Sequence, residues 1–241
     1  MPSHIFRFKQ FTIHQDRCAM KIGTDGVLLG AWANCQNAQK ALDIGTGTGV
    51  IALMLAQRNP ALQKIDGIEL DTEATQQAIE NVQRSPWSDR IEIIQSPLQT
   101  FKLAQNAQYD LIISNPPFFQ KDANTSPSGK SRTQARHTDS LSFEELLEHA
   151  CRLMTPNGQL NVVLPYQEGL HLKSLAQNAG LHCNRMAEVK SVAHKPVRRF
   201  LLCFEKAEKE PVIEQLTIQH RERKNYTDEY IALTKDFYLK M

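Results

Sequence analysis

Leu42-Asp43-Ile44-Gly45-Thr46-Gly47-Thr48-Gly49 is the stretch that decides the fold, and it leads directly into Val50-Ile-Ala-Leu-Met-Leu-Ala-Gln-Arg58, an apolar-rich run of helical length. The three glycines lie between a short strand, Ala41 to Ile44, and that helix. Missing side chains there permit a tight turn and close approach of backbone to a ligand. Twenty residues beyond Gly49, Glu69 ends a second strand, Lys64 to Glu69. An acidic side chain at that point can accept hydrogen bonds from ribose hydroxyls. Strand, glycine turn, helix, strand and terminal acid, in that order, predict an adenosine-type ligand on an α/β sheet.

Outward from this unit the alternation continues. Glu73 to Gln83, Phe143 to Met154 and Glu168 to Ala179 read as helices; Ile91 to Gln95, Tyr109 to Ser114 and Gln159 to Leu164 read as strands. Tyr109 to Ser114 is almost wholly apolar and suits the buried middle of a parallel sheet. The last two strands, near Met186 to Ser191 and Phe200 to Phe204, lack a helical spacer and are expected to form an antiparallel hairpin. The amino end alternates from Ile5 to Ile13 as a small hairpin or cap does, and a turn at Lys21-Ile-Gly-Thr-Asp25-Gly precedes a short helix over Val27 to Ala33. Phe119 to His137 is a long polar insertion carrying four Lys or Arg against one Asp. From Thr217 the tail is polar and charged, turning helical after Tyr226. The expected organisation is a cap over 1–35, an α/β domain over 36–207 and a C-terminal extension over 208–241. Its sheet is expected to be mostly parallel and doubly wound.

Composition excludes several classes. At 241 residues, 41% hydrophobic and 22% charged, the chain is an ordinary folded protein, and a net charge of +2 is no argument by itself for nucleic acid. Five cysteines, at 18, 35, 151, 183 and 203, form no close pair, which disfavours a disulfide framework or a four-cysteine zinc site and fits a reducing cytoplasm. No metal ligand set is expected, since the histidines include no His-x-x-x-His pair. No apolar window is long enough to cross a membrane, and the first residues do not read as a signal peptide. Trp32, Trp87, Cys151, Cys183 and Cys203 are expected to be packing residues.

The glycine spacing selects among adenosine ligands. A dinucleotide turn, Gly-x-Gly-x-x-Gly, brings a pyrophosphate to the helix N-terminus, whereas this turn is Gly-x-Gly-x-Gly with the Asp43 carboxylate beside it. A carboxylate repels a pyrophosphate and attracts a cation. S-adenosylmethionine, with its sulfonium and ammonium and no phosphate, is therefore the expected cofactor.

At the end of the most buried strand stands Ser114-Asn115-Pro116-Pro117-Phe118. Ligands of open α/β sheets bind beyond the carboxyl ends of the strands, where the glycine turn also opens. Proline stiffens this turn, directing the Asn115 side chain and the Pro116 carbonyl. Two acceptors so placed suit methylation of a planar exocyclic amine: they take its two N–H groups and favour the pyramidal geometry of attack, while Phe118 stacks on the ring.

With both motifs in place the chain resembles the class I S-adenosylmethionine-dependent methyltransferases, and over its whole length the bacterial tRNA1(Val) adenine-N6 methyltransferase family. The resemblance rests on Lys21-Ile-Gly-Thr-Asp25-Gly-Val-Leu-Leu-Gly30, the 42–49 turn, Gly67-Ile-Glu-Leu-Asp71, Ser114 to Phe118, and the ending Tyr226-Thr-Asp-Glu-Tyr-Ile-Ala-Leu-Thr-Lys-Asp-Phe-Tyr238. It implies a Rossmann-like fold with a mostly parallel seven-stranded sheet and an antiparallel C-terminal strand. It also implies methylation of the adenine immediately 3′ to the anticodon (position 37) of a valine tRNA. A monomer is expected, an oligomeric state that the sequence by itself does not determine. Lys21, Thr24 and Asp25 would line the cofactor from the amino-terminal side, Asp43, Gly45, Thr46, Gly47 and Gly49 would hold its methionine part, and Glu69 with Leu70 its ribose. Ser96 stands after the third strand, where relatives commonly carry an acid against the cofactor adenine. Asn115, Pro116, Pro117 and Phe118 would hold the base.

Basic residues at Lys130, Arg132 and Arg136 in the insertion, and at Lys190, Lys195, Arg198 and Arg199, are expected to bind RNA phosphates around a base drawn out of the anticodon loop. A further basic cluster stands at Arg221, Arg223 and Lys224. The same turn also suits a ribosomal RNA guanine-N2 methyltransferase or a protein glutamine methyltransferase. The non-enzymatic alternative is an RNA-binding module with an inactive methyltransferase fold.

Overall fold

The computed structural model describes residues 4–101, 108–116, 141–221 and 225–241. The expected insertion, with Pro117, Phe118, Lys130, Arg132 and Arg136, lies outside the described residues, as do Arg223 and Lys224.

The described chain begins with an antiparallel hairpin, β1 (Ile5–Arg7) and β2 (Thr12–His14), as the alternation predicts. Helix α1 spans Thr24–Trp32, three residues earlier than expected, because Gly23 already serves as its extended N-cap. The glycine unit follows: β3 (Lys40–Ile44), α2 (Val50–Arg58) and β4 (Lys64–Glu69). Helix α3 (Thr72–Gln83) starts at Asp71, whose carboxylate accepts the Ala74 N–H at 2.8 Å. Next come β5 (Ile91–Gln95), β6 (Tyr109–Ser114), and α4 (Phe143–Leu153), which opens on a Ser142/Glu145 capping box. Strand β7 (Met154–Pro165), helix α5 (Tyr166–Ala176), β8 (His182–Val192) and β9 (Arg199–Glu205) complete the part whose elements the sequence predicts. The chain closes on β10 (Val212–Arg221), β11 (Asn225–Tyr226) and α6 (Asp228–Thr234).

The large sheet runs β11-β10-β8-β9-β7-β6-β3-β4-β5. It is mixed: β9 lies antiparallel to β7 and β8, and β11 to β10, while the remaining pairs are parallel. The expectation of seven strands is corrected to nine. The additional pair comes from the extension, where β10 has one long neighbour and buries only Leu216, so it lacks the alternation that marks a strand with a buried face. Two contacts hold it in place. Glu214 receives the Trp32 Nε1–H at 2.8 Å and the Arg185 guanidinium at 2.6 Å, and that guanidinium lies 4.1 Å from the Trp32 ring centroid.

Period-two alternation assigns each central strand residue to one of two cores. Leu111 and Ile113 pack with α1 and α2 on one face; Ile112 packs with α4 on the other. Each such fully buried side chain contributes roughly 1.5–3 kcal/mol. Register then aligns the strand ends: Ile44 lies opposite Ile68 and Ser114, Glu69 opposite Gln95, and Ser114 opposite Val162. The carboxyl ends of β3 to β7 thus form one edge, and β9 starts there too, because Arg199 pairs with Pro165.

Candidate functional site

The glycine turn opens on this edge. Gly45, Gly47 and Gly49 have φ of 69°, 56° and 80°, in the left-handed region that L side chains rarely adopt. A Cβ on Gly45 or Gly47 would meet nothing within 4 Å among the described residues, so backbone conformation, not crowding by them, calls for glycine. The loop is tied down to the end of β4. Gly45 and Thr46 N–H groups bond the Ile68 carbonyl at 2.9 and 3.0 Å. Glu69 accepts the Gly47 N–H at 2.9 Å on one oxygen and the Leu70 and Asp71 N–H groups at 2.8 and 3.0 Å on the other. Glu69 therefore organises the turn as well as standing where ribose hydroxyls are expected. Leu70 beside it is 50% exposed, an apolar side chain open at the ligand edge.

Asp43 is enclosed, and one of its oxygens takes the Thr46 hydroxyl at 2.6 Å. Burial pushes its carboxyl up to about 7, against the Thr46 hydroxyl and an Ala52 N–H, which favour the ionised form; nearby Glu69 adds to the rise. Its other oxygen has no partner among the described residues. A cationic ligand near the turn is the natural compensation for a carboxylate so placed.

Ser114 fixes the neighbouring strand end by donating to the Ile44 carbonyl at 2.9 Å. Asn115 follows, and its Oδ1 is buried without a partner among the described residues; Pro116 is buried next to it. The first turn of α1 lies against this asparagine, since a Cβ on Gly26 would stand 3.8 Å from Asn115 Nδ2. Thr24 and Asp25 are thereby brought to the site, and Asp25 forms an ion pair with Arg199 at the start of β9. Lys21 directs its ammonium elsewhere, to the Gln15 and Cys18 carbonyls, and so braces the 15–21 loop. Ser96 lies at the end of β5, its N–H on the Glu69 carbonyl at 3.0 Å and its hydroxyl on the Pro97 carbonyl at 3.0 Å. Arg198 is exposed and Lys195 half-buried on the turn leading into β9, at the same edge as Asn115.

Sequence reasoning missed the residues that support the turn from below. Asn81, fully buried on α3, accepts the His14 N–H at 2.9 Å and donates to the carbonyls of His14 and Thr48 at 2.8 and 2.9 Å. Gln77, one helical turn earlier, accepts the Arg17 N–H at 3.2 Å. The only signal in the sequence is two amides four residues apart on a face otherwise made of Ala74 and Ala78. The Cys18 thiol is pushed up to about 11, chiefly by burial and further by Glu69.

A glycine turn pinned by a strand-terminal acid, beside an asparagine–proline turn on one edge of a Rossmann-like sheet, defines a class I S-adenosylmethionine-dependent methyltransferase. Residues 22–190 match the family model described as methyltransferase small domain. The fold is similar to that of a predicted O-methyltransferase from Agrobacterium tumefaciens, with a TM-score of 0.65 at 17% identity over 88% of this chain and 96% of that one. The chain is 47% identical to the tRNA1(Val) (adenine(37)-N6)-methyltransferase of Trichodesmium erythraeum, over the full length of both. It is 46% identical to the protein of that name in Tolumonas auensis, over 100% of this chain and 99% of that one. It belongs to the tRNA1(Val) (adenine(37)-N6)-methyltransferase family.

Among the described residues no group of three or more His, Cys, Asp or Glu is placed to hold a metal, and no helix is long and apolar enough to cross a membrane.

Proposed function

We propose that the chain methylates N6 of adenine 37, immediately 3′ to the anticodon of tRNA1(Val), and that Asn115 and Pro116 position the reacting amine. The observation that carries this reading is the buried Oδ1 of Asn115, without a partner among the described residues, at the edge shared with the glycine turn. A native structure seldom leaves a buried acceptor unpaired unless something else is to fill it.

The cofactor fits the residues present. Among the described residues nothing crowds Gly45 and Gly47, Asp43 supplies a buried carboxyl that a bound cation would hold ionised, and Glu69 stands at the strand end. S-adenosylmethionine, when bound, supplies a methyl group on positively charged sulfur. Asp43, Gly45, Thr46, Gly47 and Gly49 hold its methionine part, Glu69 and Leu70 its ribose, and Ser96 its adenine; Thr24 and Asp25 close the side facing α1.

The substrate amine donates its two N–H groups to Asn115 Oδ1 and the Pro116 carbonyl. These bonds draw the nitrogen out of the ring plane and restore the lone pair that conjugation had spread into the ring. Both strengthen as positive charge grows on the nitrogen, which lowers the barrier selectively. The excess proton leaves to water afterwards, so no base is needed. Phe118 and Pro117 contact the base, while Lys195 and Arg198, with Lys130, Arg132 and Arg136 of the insertion, bind phosphates. Strands β3 to β9 form the catalytic sheet of the 36–207 domain, with 1–35 as cap and 208–241 as an extension lengthening that sheet. Five free cysteines are consistent with action in the cytoplasm.

The test is transfer of labelled methyl from S-adenosylmethionine to unmodified bulk tRNA, followed by nucleoside analysis and mapping. N6-methyladenosine beside the valine anticodon is expected. Label in N2-methylguanosine or in protein overturns the assignment.

A further inference from the structure

We propose that Tyr166 is a stacking platform for an unpaired base flanking the adenine that is methylated; this substrate-positioning role rests on the tRNA reading above.

Tyr166 is the first residue of α5, directly after β7 ends at Pro165. Strand β7 is the neighbour of β6, which delivers Asn115, and Ser114 lies opposite Val162. Adjacent strands lie about 4.8 Å apart. The chain therefore carries Val163, Leu164 and Pro165 past the level of Ser114 and sets Tyr166 just beyond the catalytic turn, on the same edge.

Its surroundings are those of a prepared surface. Val162, Val163 and Leu164 are at most 1% exposed, whereas Tyr166 is 37% exposed. One side of its ring rests on Phe200, with centroids 5.0 Å apart and planes inclined by 30°. Phe200 is itself immobilised: it is buried, and Gly169 fits beneath it so closely that a Cβ there would stand 2.7 Å from the ring. The Tyr166 N–H bonds the Arg198 carbonyl at 3.1 Å, fixing the backbone at the foot of the ring. Leu170, one helical turn on, is 42% exposed and extends the apolar surface. An aromatic ring held in this way sacrifices little freedom when a ligand lands on it.

The neighbouring charge identifies the class of ligand. The same hydrogen bond places Tyr166 beside Arg198, whose side chain is exposed, and Lys195 lies three residues earlier on that turn. A rigid aromatic face next to cations is the combination that binds single-stranded nucleic acid, the ring taking a base and the cations taking phosphates. The chemistry creates a need for it. Drawing one adenine into the catalytic turn leaves the adjoining base with an uncovered face, and stacking on Tyr166 covers that face again. Tyr166 remains 37% exposed while it stacks on Phe200, so packing does not use up the residue's surface.

The test uses the whole protein and an unmodified valine-tRNA anticodon stem-loop. Tyr166→Ala is expected to raise KM for the RNA about ten-fold, with kcat and the calorimetric affinity for S-adenosylmethionine little changed, and Tyr166→Phe and Tyr166→Trp are expected to retain the wild-type KM. In two further RNAs, 2-aminopurine replaces the nucleotide on either side of the target. Wild-type protein is expected to quench one of them on binding, and Tyr166→Ala to leave it unquenched. An unchanged KM and unchanged quenching in Tyr166→Ala overturn the platform. So does a parallel loss of cofactor affinity and melting temperature, which would make the ring a packing residue. Wild-type protein that methylates no tRNA overturns the underlying reading along with this one, whereas active wild type with an indifferent Tyr166→Ala overturns the platform alone.

Discussion

Asn115→Ala separates catalysis from stability in a way the structure makes quantitative. Asn115 Oδ1 is buried without a partner among the described residues, so the ligand-free fold bears the desolvation of that carbonyl and gains no hydrogen bond in return. An unsatisfied buried polar atom costs about 1–3 kcal/mol. Truncation relieves it while removing the packing of a small side chain, and the two effects oppose each other. The net change in a chain of 241 residues is expected within about 1 kcal/mol, or roughly 2–4 °C in melting temperature. Catalysis has no such compensation. Removing one prepared hydrogen-bonding group that strengthens in the transition state costs about 10²–10³ in kcat. Scanning calorimetry and single-turnover methylation of tRNA, run on the same preparations, check both numbers. Activity within a few-fold of wild type refutes the assigned role. A melting temperature lowered by more than about 8 °C refutes it differently, by showing that Asn115 holds the fold and that the activity loss follows from damage.

The remaining predictions concern the cofactor turn and the RNA edge. Asp43 has a carboxyl raised from 3.8 to about 7, so folding of the cofactor-free protein should lose stability as pH rises from about 4 through 7, and Asp43→Asn should flatten that part of the melting-temperature profile. Binding of the cationic cofactor should strengthen over the same rise as Asp43 ionises, and Thr46→Val, which removes the hydroxyl bonded to Asp43 at 2.6 Å, should move the calorimetric inflection to higher pH. Gly47→Ala forces a side chain into φ of 56° with no other contact, and should destabilise by about 1–2 kcal/mol in denaturant titration; Gly47→Asn should cost less, because asparagine visits that region more readily. Replacing Lys195 and Arg198 together by alanine should reduce the slope of log affinity against log salt by about 0.7 for each phosphate no longer neutralised, and an unchanged slope removes both from the RNA surface.

What could be read from the residues, and what could not, divides along physical lines. Strands β4, β5 and β6 and helix α2 fall where the pattern places them, because each has a buried face or full burial that leaves its period in the chemistry of successive side chains. The glycine turn was legible for a related reason: three positive φ angles restrict the residue type wherever they occur. Strand β10 was illegible because its order depends on distant partners, Arg185 and Trp32 on Glu214, which no local window contains. Asn81 was illegible in the same sense. An amide in a helix carries no sign that it will clasp both a hairpin 67 residues earlier and the turn at Thr48.

That division bears on how the site works. The groups proposed to meet the cofactor and the amine were visible because their chemistry demands particular residue types at particular spacings. Those that hold them in place were hidden because many residue types can brace a loop, and the fold selects among them only after the chain has closed. Glu69 belongs to both sets: it reads as a ribose acceptor, yet its two oxygens take three backbone N–H groups from Gly47, Leu70 and Asp71. A carboxylate so engaged retains lone pairs for a ribose, since two oxygens offer about four acceptor sites. With Glu69 in the proposed ribose-binding role, cofactor binding and loop order are coupled through one side chain. A ribose bonded to Glu69 rests on a group that also fixes the Gly47 backbone, and loss of Glu69 should weaken cofactor affinity by more than the ribose hydrogen bonds alone.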